Sequence, residues 1–302
     1  MRILTFLNIA FIGLLLTNCT SNTDVTQEEW TEVKKDTTEI QNKNKVNTEN
    51  NILLCNIVYF TLNDGSTTNN TDFIYGERFQ INFDNMSGFN RINGEIYPAM
   101  AIFVLNENND TIFKTDNLYK DSYKTVNVSL NAYLKCADPM HSNSTYHAFI
   151  NIWDRKGKGT LVSDFNFTIK PNDKISVKTN NLSYNEIYLK SKDSKEVIID
   201  NNVNLYERVY IVFEGLKGFK VIDSLANMGM NIVVTDINGD TTYYNPDFFP
   251  EPVNAYALYQ MSYIKLFFKD KNVKSPLQCK VLIWDKKSDA DLTADFKLNL
   301  IQ

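Results

Sequence analysis

Glu77-Arg78-Phe79-Gln80-Ile81-Asn82-Phe83 and Glu207-Arg208-Val209-Tyr210-Ile211-Val212-Phe213 are one pattern written twice, 130 residues apart. In the first, Phe79, Ile81 and Phe83 alternate with Arg78, Gln80 and Asn82; in the second, Val209, Ile211 and Phe213 hold the same places. Successive side chains of a strand point to opposite faces, so this period of two predicts a half-buried antiparallel strand. The alternation recurs at Val126, Val128 and Leu130, at Phe165, Phe167 and Ile169, and at Phe296, Leu298 and Leu300. No long stretch carries a helical period, and the prolines fall outside these runs, where they would cost a ladder bond. Aromatic residues reach 13%, which favours strands.

Working outward, the duplication extends along the whole body of the chain. Asn56-Ile57-Val58-Tyr59 matches Asn185-Glu186-Ile187-Tyr188, 129 residues on, and Gly88-Phe89 matches Gly218-Phe219, 130 on. Ile152-Trp153-Asp154 matches Ile283-Trp284-Asp285, and Asp164-Phe165-Asn166-Phe167 matches Asp295-Phe296-Lys297-Leu298, both 131 on. Order is kept while the offset drifts by single residues, as expected when insertions fall in loops. A period near 130 is a whole domain, not a solenoid repeat. The expected fold class is therefore all-β: two tandem, homologous antiparallel β-sandwiches, immunoglobulin-like or jelly-roll-like. The copies are expected at 52–170 and 180–302, joined by a linker at 171–179.

The 302 residues begin differently. Met1-Arg2 precedes a nearly unbroken apolar run from Ile3 to Leu16, too short to span a bilayer but suited to an export signal. Leu16-Thr17-Asn18-Cys19 closes it. This box resembles the leader of bacterial lipoproteins, with Asn18 departing from the usual small residue before the cysteine. The resemblance implies a signal peptide at 1–18, cleavage ahead of Cys19, and diacylglycerol and an acyl chain such as palmitate on that residue. Thr20, where the family uses Asp for inner-membrane retention, implies an outer-membrane location, its face left open. Residues 19–51 are polar and read as a lipidated, disordered tether. Net charge is −5 and pI about 5.2, so no basic field points to nucleic acid as a partner.

Motifs of chemistry are sparse. No nucleophile elbow, zinc-protease helix, phosphate loop or dinucleotide fingerprint occurs. No catalytic residue, cofactor or metal site is therefore assigned. Asp236-Ile237-Asn238-Gly239-Asp240 offers oxygen ligands at alternate positions, as calcium requires, yet Asn-Gly between two apolar runs also signals a hairpin. His141 and His147 lie near Cys136 without zinc spacing and read as a surface loop. With Cys19 acylated, Cys55, Cys136 and Cys279 remain, enough for one disulfide at most. Trp153-Asp154 and Trp284-Asp285 read as strand-end corners, the Asp capping a turn.

The second copy adds aromatic residues among amides and prolines. Tyr243, Tyr244, Tyr256 and Tyr259 are the candidate ligand-binding residues, since tyrosines beside amides stack on sugars or anchor a protein partner. The alternative is that they close the end of the sandwich. The functional expectation is a non-enzymatic, membrane-anchored envelope module that binds a glycan or protein ligand. The competing expectations are an envelope assembly subunit and a hydrolase with an unrecognised site.

Overall fold

The computed structural model describes residues 53–301. The signal peptide, Cys19 and the expected tether lie outside the described residues. The chain forms two compact units, one built from the first copy up to Lys174 together with 194–202, the other from 175–193 and 203 onward.

The first unit contains β1 (Ile57–Leu62), β2 (Thr67–Thr68), β3 (Asp72–Ile74), β4 (Arg78–Asp84), β5 (Pro98–Leu105), β6 (Thr111–Thr115), β7 (Leu130–Lys135), β8 (Ser144–Asp154) and β9 (Thr160–Lys170). They make two sheets, in the orders β2-β1-β4-β7 and β3-β9-β8-β5-β6. The pairings in these two sheets are antiparallel except that of β3, which runs parallel to β9. The first strand pairs with the second long strand, which pairs with the fifth, while the sixth lies between the third and the seventh. That is the immunoglobulin order, which settles the choice against the jelly roll. Alternation places Phe79, Ile81 and Phe83 inward, where they are fully buried. Phe73 stacks on Phe79 at 3.9 Å between centroids, and Phe60 meets both edge-on. The strand predicted from Val126 begins only at Leu130. Amides of Asn127 and Ser129 bond the side chains of Thr125 and Asn127, so local turns take up that stretch and leave Val126 exposed.

Residues 175–180, within and just beyond the expected linker, form β10 (Ile175–Asn180). The chain continues through β11 (Glu186–Ser191), β12 (Val197–Ile198), β13 (Asn202–Asn204), β14 (Arg208–Glu214), β15 (Val221–Ile222), β16 (Leu225–Ala226), β17 (Met228–Thr235), β18 (Thr241–Asn245), β19 (Val253–Asn254), α1 (Ala255–Gln260), β20 (Ser262–Phe267), β21 (Leu277–Asp285) and β22 (Asp291–Ile301). One sheet of the second unit has the order β10-β22-β21-β17-β18, with β13 also on β22; β11, β14 and β20 form the other. Val209, Ile211, Phe213, Ile264, Cys279 and Ile283 fill the space between them. A small sheet, β15-β16-β19, has no counterpart among the sheets of the first unit.

Both copies end β8 or β21 in the same corner. Asp154 and Asp285 are buried. Asp154 accepts from the amides of Asn90 (2.6 Å) and Lys156 (2.9 Å); Asp285 accepts from Lys220 (2.8 Å), Lys287 (3.0 Å) and the Ser288 hydroxyl (2.7 Å). Each carboxylate thus fastens the loop between the second and third long strands. The structural corner read from the sequence is present in both copies, but the tryptophans beside it are only half-buried. They lie on the outward side of the strand, opposite the buried Ile152 and Ile283.

Candidate functional site

The loop end of the second unit begins with a tight hairpin. Asp223 and Ser224 have φ of 51° and 65°, the two successive positive values that a two-residue type I′ turn demands. The turn joins β15 to β16, pairing Ile222 with Leu225 and Val221 with Ala226. On its other side β16 pairs with β19, Leu225 opposite Asn254. Asn254 then caps α1, its side-chain oxygen accepting from the amides of Tyr256 (3.0 Å) and Ala257 (3.2 Å). The Ala255 amide donates to the Ser224 carbonyl at 2.9 Å, tying the helix start to the hairpin turn. The bond from Lys220 to Asp285 holds the base of the same hairpin.

These constraints present an apolar tip. Val221 is 50% exposed, Ile222 51%, Leu225 42% and Tyr256, two residues beyond the partner of Leu225, 68%. The first copy has Arg91, Ile92 and Glu95 where the second has Val221, Ile222 and Leu225. There Arg91 bonds the Gly94 carbonyl at 2.6 Å and Glu95 pairs with Lys124 at 2.8 Å. One backbone device thus flanks an exposed isoleucine, Ile92 or Ile222, with ions in one copy and with aliphatic groups in the other. Sequence reasoning missed Val221 and Leu225; the signal was their alignment with Arg91 and Glu95 at the 130-residue offset.

The four candidate tyrosines are distributed over two elements. Tyr243 and Tyr244 are on β18, opposite Val234 and Val233, and as successive strand residues face opposite ways. Tyr244 is 57% exposed. Tyr243 is half-buried, and that burial raises its hydroxyl pKa against a hydrogen bond with Asn245. Tyr256 and Tyr259 are on α1, which packs on β14 and β20 of the other sheet. Tyr259 is half-buried beneath the Lys217 ammonium, 4.8 Å from its ring centroid. The structure therefore brings Tyr256, but not the β18 pair, to the apolar hairpin.

The other constellations have structural roles. Asp236 accepts from the amides of Asn238 (2.8 Å) and Asp240 (3.0 Å), and Gly239 at φ 87° completes the β17–β18 hairpin. Asn106 does the same in the first copy, with Asn109 at φ 64°. Among the described residues no three His, Cys, Asp or Glu side chains are grouped to hold a metal. His147 is not in a loop, as expected from sequence, but on β8, where it faces Asp164 at 2.7 Å and packs on Phe149. Its alternation with buried Tyr146 and Ala148 put it on the outer face. Cys55, Cys136 and Cys279 are buried thiols. Burial raises all three, Cys279 to about 12, the opposite of what a nucleophile needs.

No family model matches the chain, and no curated protein does. Among solved structures it is similar to fibronectin(III)-like modules of Clostridium thermocellum CbhA, at 12% identity over 80% of this chain and 94% of that one, with a TM-score of 0.20. It is also similar to the FN1–FN3 domains of chicken CNTN1, at 9% identity over 76% of this chain and 65% of that one, with a TM-score of 0.21. The strand order, not these likenesses, carries the architecture, and neither bears on function.

Proposed function

We propose that this chain is a non-enzymatic binding protein of the cell envelope, cleaved ahead of Cys19, held to the outer membrane by lipid on that cysteine, and binding a protein ligand through the loop end of its second sandwich. The observation that carries the reading is the exposed cross-strand pair Ile222 and Leu225 on a hydrogen-bonded hairpin, with Tyr256 exposed on the helix tied to it, at a place where the duplicate copy sets Arg91 and Glu95 beside Ile92. Contiguous apolar surface rimmed by polar residues marks interaction sites. A tyrosine on a rigid helix turn supplies contact area at low entropy cost. The Leu16-Thr17-Asn18-Cys19 box supports the anchor, since two or more acyl chains hold a protein stably at a bilayer.

The test is a photo-crosslinker at Ile222 in cells producing the full chain. A discrete protein adduct should form in the membrane fraction and disappear in the variant Val221→Asp/Leu225→Asp, whose melting temperature should stay that of wild type. Cys19→Ser should move the protein to the soluble fraction. Adducts indifferent to the hairpin charges would remove the tip from the reading, and a Cys19→Ser variant still in membranes would remove the lipid anchor.

A further inference from the structure

The outer face of the sheet β11-β14-β20 carries a second feature, distinct from the hairpin tip. Register sets it out in rows. Tyr188, Val212 and Tyr263 form one row; Lys190, Tyr210 and Lys265 form the next; Arg208 and Phe267 follow, with Lys192 bonded through its amide to the Arg208 carbonyl. Tyr210 is thus flanked by a lysine on each neighbouring strand, at a spacing of about 4.8 Å per strand. Its ring lies 4.8 Å from that of Tyr263 and 5.9 Å from the Lys192 ammonium. Lys269 sits 4.8 Å over Phe267, which is itself exposed.

Cations dominate this end of the face. Arg208 is paired with Asp193, but Lys190 and Lys265 have no acid partner among the described residues. The acids that share the face, Glu186 and Glu214, pair with each other across the strands in the row beyond Tyr188, and Glu214 accepts from the Tyr188 hydroxyl at 2.6 Å. Three lysines around one ring repel one another and add nothing to the core, which the buried Leu189, Ile211 and Ile264 form from the opposite face. The first copy holds the same register with other residues: Thr61, Gln80 and Tyr133 stand where Lys190, Tyr210 and Lys265 do. The fold therefore does not require the lysines.

We infer that this face binds an acidic polysaccharide, its carboxylates meeting Lys190, Lys192 and Lys265 and its sugar rings lying on Tyr210, Tyr263 and Phe267. Charge complementarity selects a polyanion. Rings and charges spread over three neighbouring strands suit an extended polymer rather than a compact ligand. Lysine is depleted at protein–protein interfaces, where arginine and apolar groups replace it, and a bilayer surface would be met by a protruding apolar element, which this face lacks.

The test is affinity electrophoresis and titration of the full-length chain with polygalacturonate, with neutral dextran, polyglutamate and anionic phosphatidylglycerol vesicles as comparison arms. Polygalacturonate should bind in a salt-sensitive way, and Lys190→Gln/Lys265→Gln should weaken it about tenfold or more with an unchanged melting temperature. Phe267→Ala should weaken it with the salt slope kept, because the ring carries no charge. Binding no stronger than to dextran, binding unaffected by the double variant, or tighter binding of polyglutamate or of vesicles would each overturn the assignment. Val221→Asp/Leu225→Asp should leave polygalacturonate binding intact, which separates this site from the hairpin tip.

Discussion

Trp284 is seated on Gly229: a β-carbon added to that glycine would lie 2.1 Å from indole Cε2 and 2.2 Å from Cζ2. The two residues are direct partners across β17 and β21, and in the first copy Trp153 has Ala99 in that place. Gly229→Ala should therefore force the indole aside and cost about 1–3 kcal/mol, as overpacking does. In the Trp284→Ala background the same change should be neutral or stabilising, because alanine suits a strand better than glycine. Urea melts of the four proteins check this; additive losses would mean the ring does not rest on the glycine.

Asp285 and Asp247 make the second sandwich acid-sensitive. Burial alone would raise each carboxyl. For Asp285 the amides of Lys220 and Lys287 and the Ser288 hydroxyl outweigh it; for Asp247, Lys286 and the amides of Phe249 and Met230 do. Both are held below the usual value of 3.8, so their stabilisation is complete above that pH and lost as pH falls through the lowered folded values. Asp285→Asn should cost about 2 kcal/mol at neutral pH and flatten the loss of stability below about pH 4. A denaturant midpoint measured from pH 7 to pH 2 reads both effects.

The thiols give a count that reports on the leader. Cys55, Cys136 and Cys279 are buried and their ionisation is disfavoured, so none should react with a thiol reagent at pH 8 while folded. Unfolding in urea should release three reactive thiols from a chain acylated at Cys19 and four from an unprocessed one. Rapid labelling of Cys55, Cys136 or Cys279 in the native chain would contradict the burial.

The four tyrosines should separate into pairs. Tyr244→Ala and Tyr256→Ala remove exposed rings and should shift stability by less than about 0.5 kcal/mol. Tyr243→Ala and Tyr259→Ala remove half-buried rings, and Tyr259→Ala also the contact with Lys217, so each should cost about 1–2 kcal/mol. Thermal melts of the single variants decide it. Of the four, only Tyr256→Ala should weaken the proposed hairpin contact.

Period-two alternation made the strands of both copies legible, because whether a side chain points inward is set by its position along its own strand. The turn at Asp236 and the corners at Asp154 and Asp285 were legible because their hydrogen bonds reach mostly a few residues along the chain. His147 was misplaced where a short strand pattern, read beside a loop-like segment, lacked its pairing partner Asn166 on β9. The apolar hairpin tip escaped notice since only its comparison with Arg91 and Glu95 reveals it.

Duplication, strand content and the expected export leader follow from order along the chain, where each signal is local or repeats at a fixed offset. Whether the sandwich is immunoglobulin-like or a jelly roll does not, because alternation says which side chains are buried but not which strands pair. Nor does the meeting of Lys190, Tyr210 and Lys265, residues far apart in sequence that antiparallel register sets in one row. Sheet pairing is a non-local choice made by the packing of the whole core, and it alone decides which surface residues share a face.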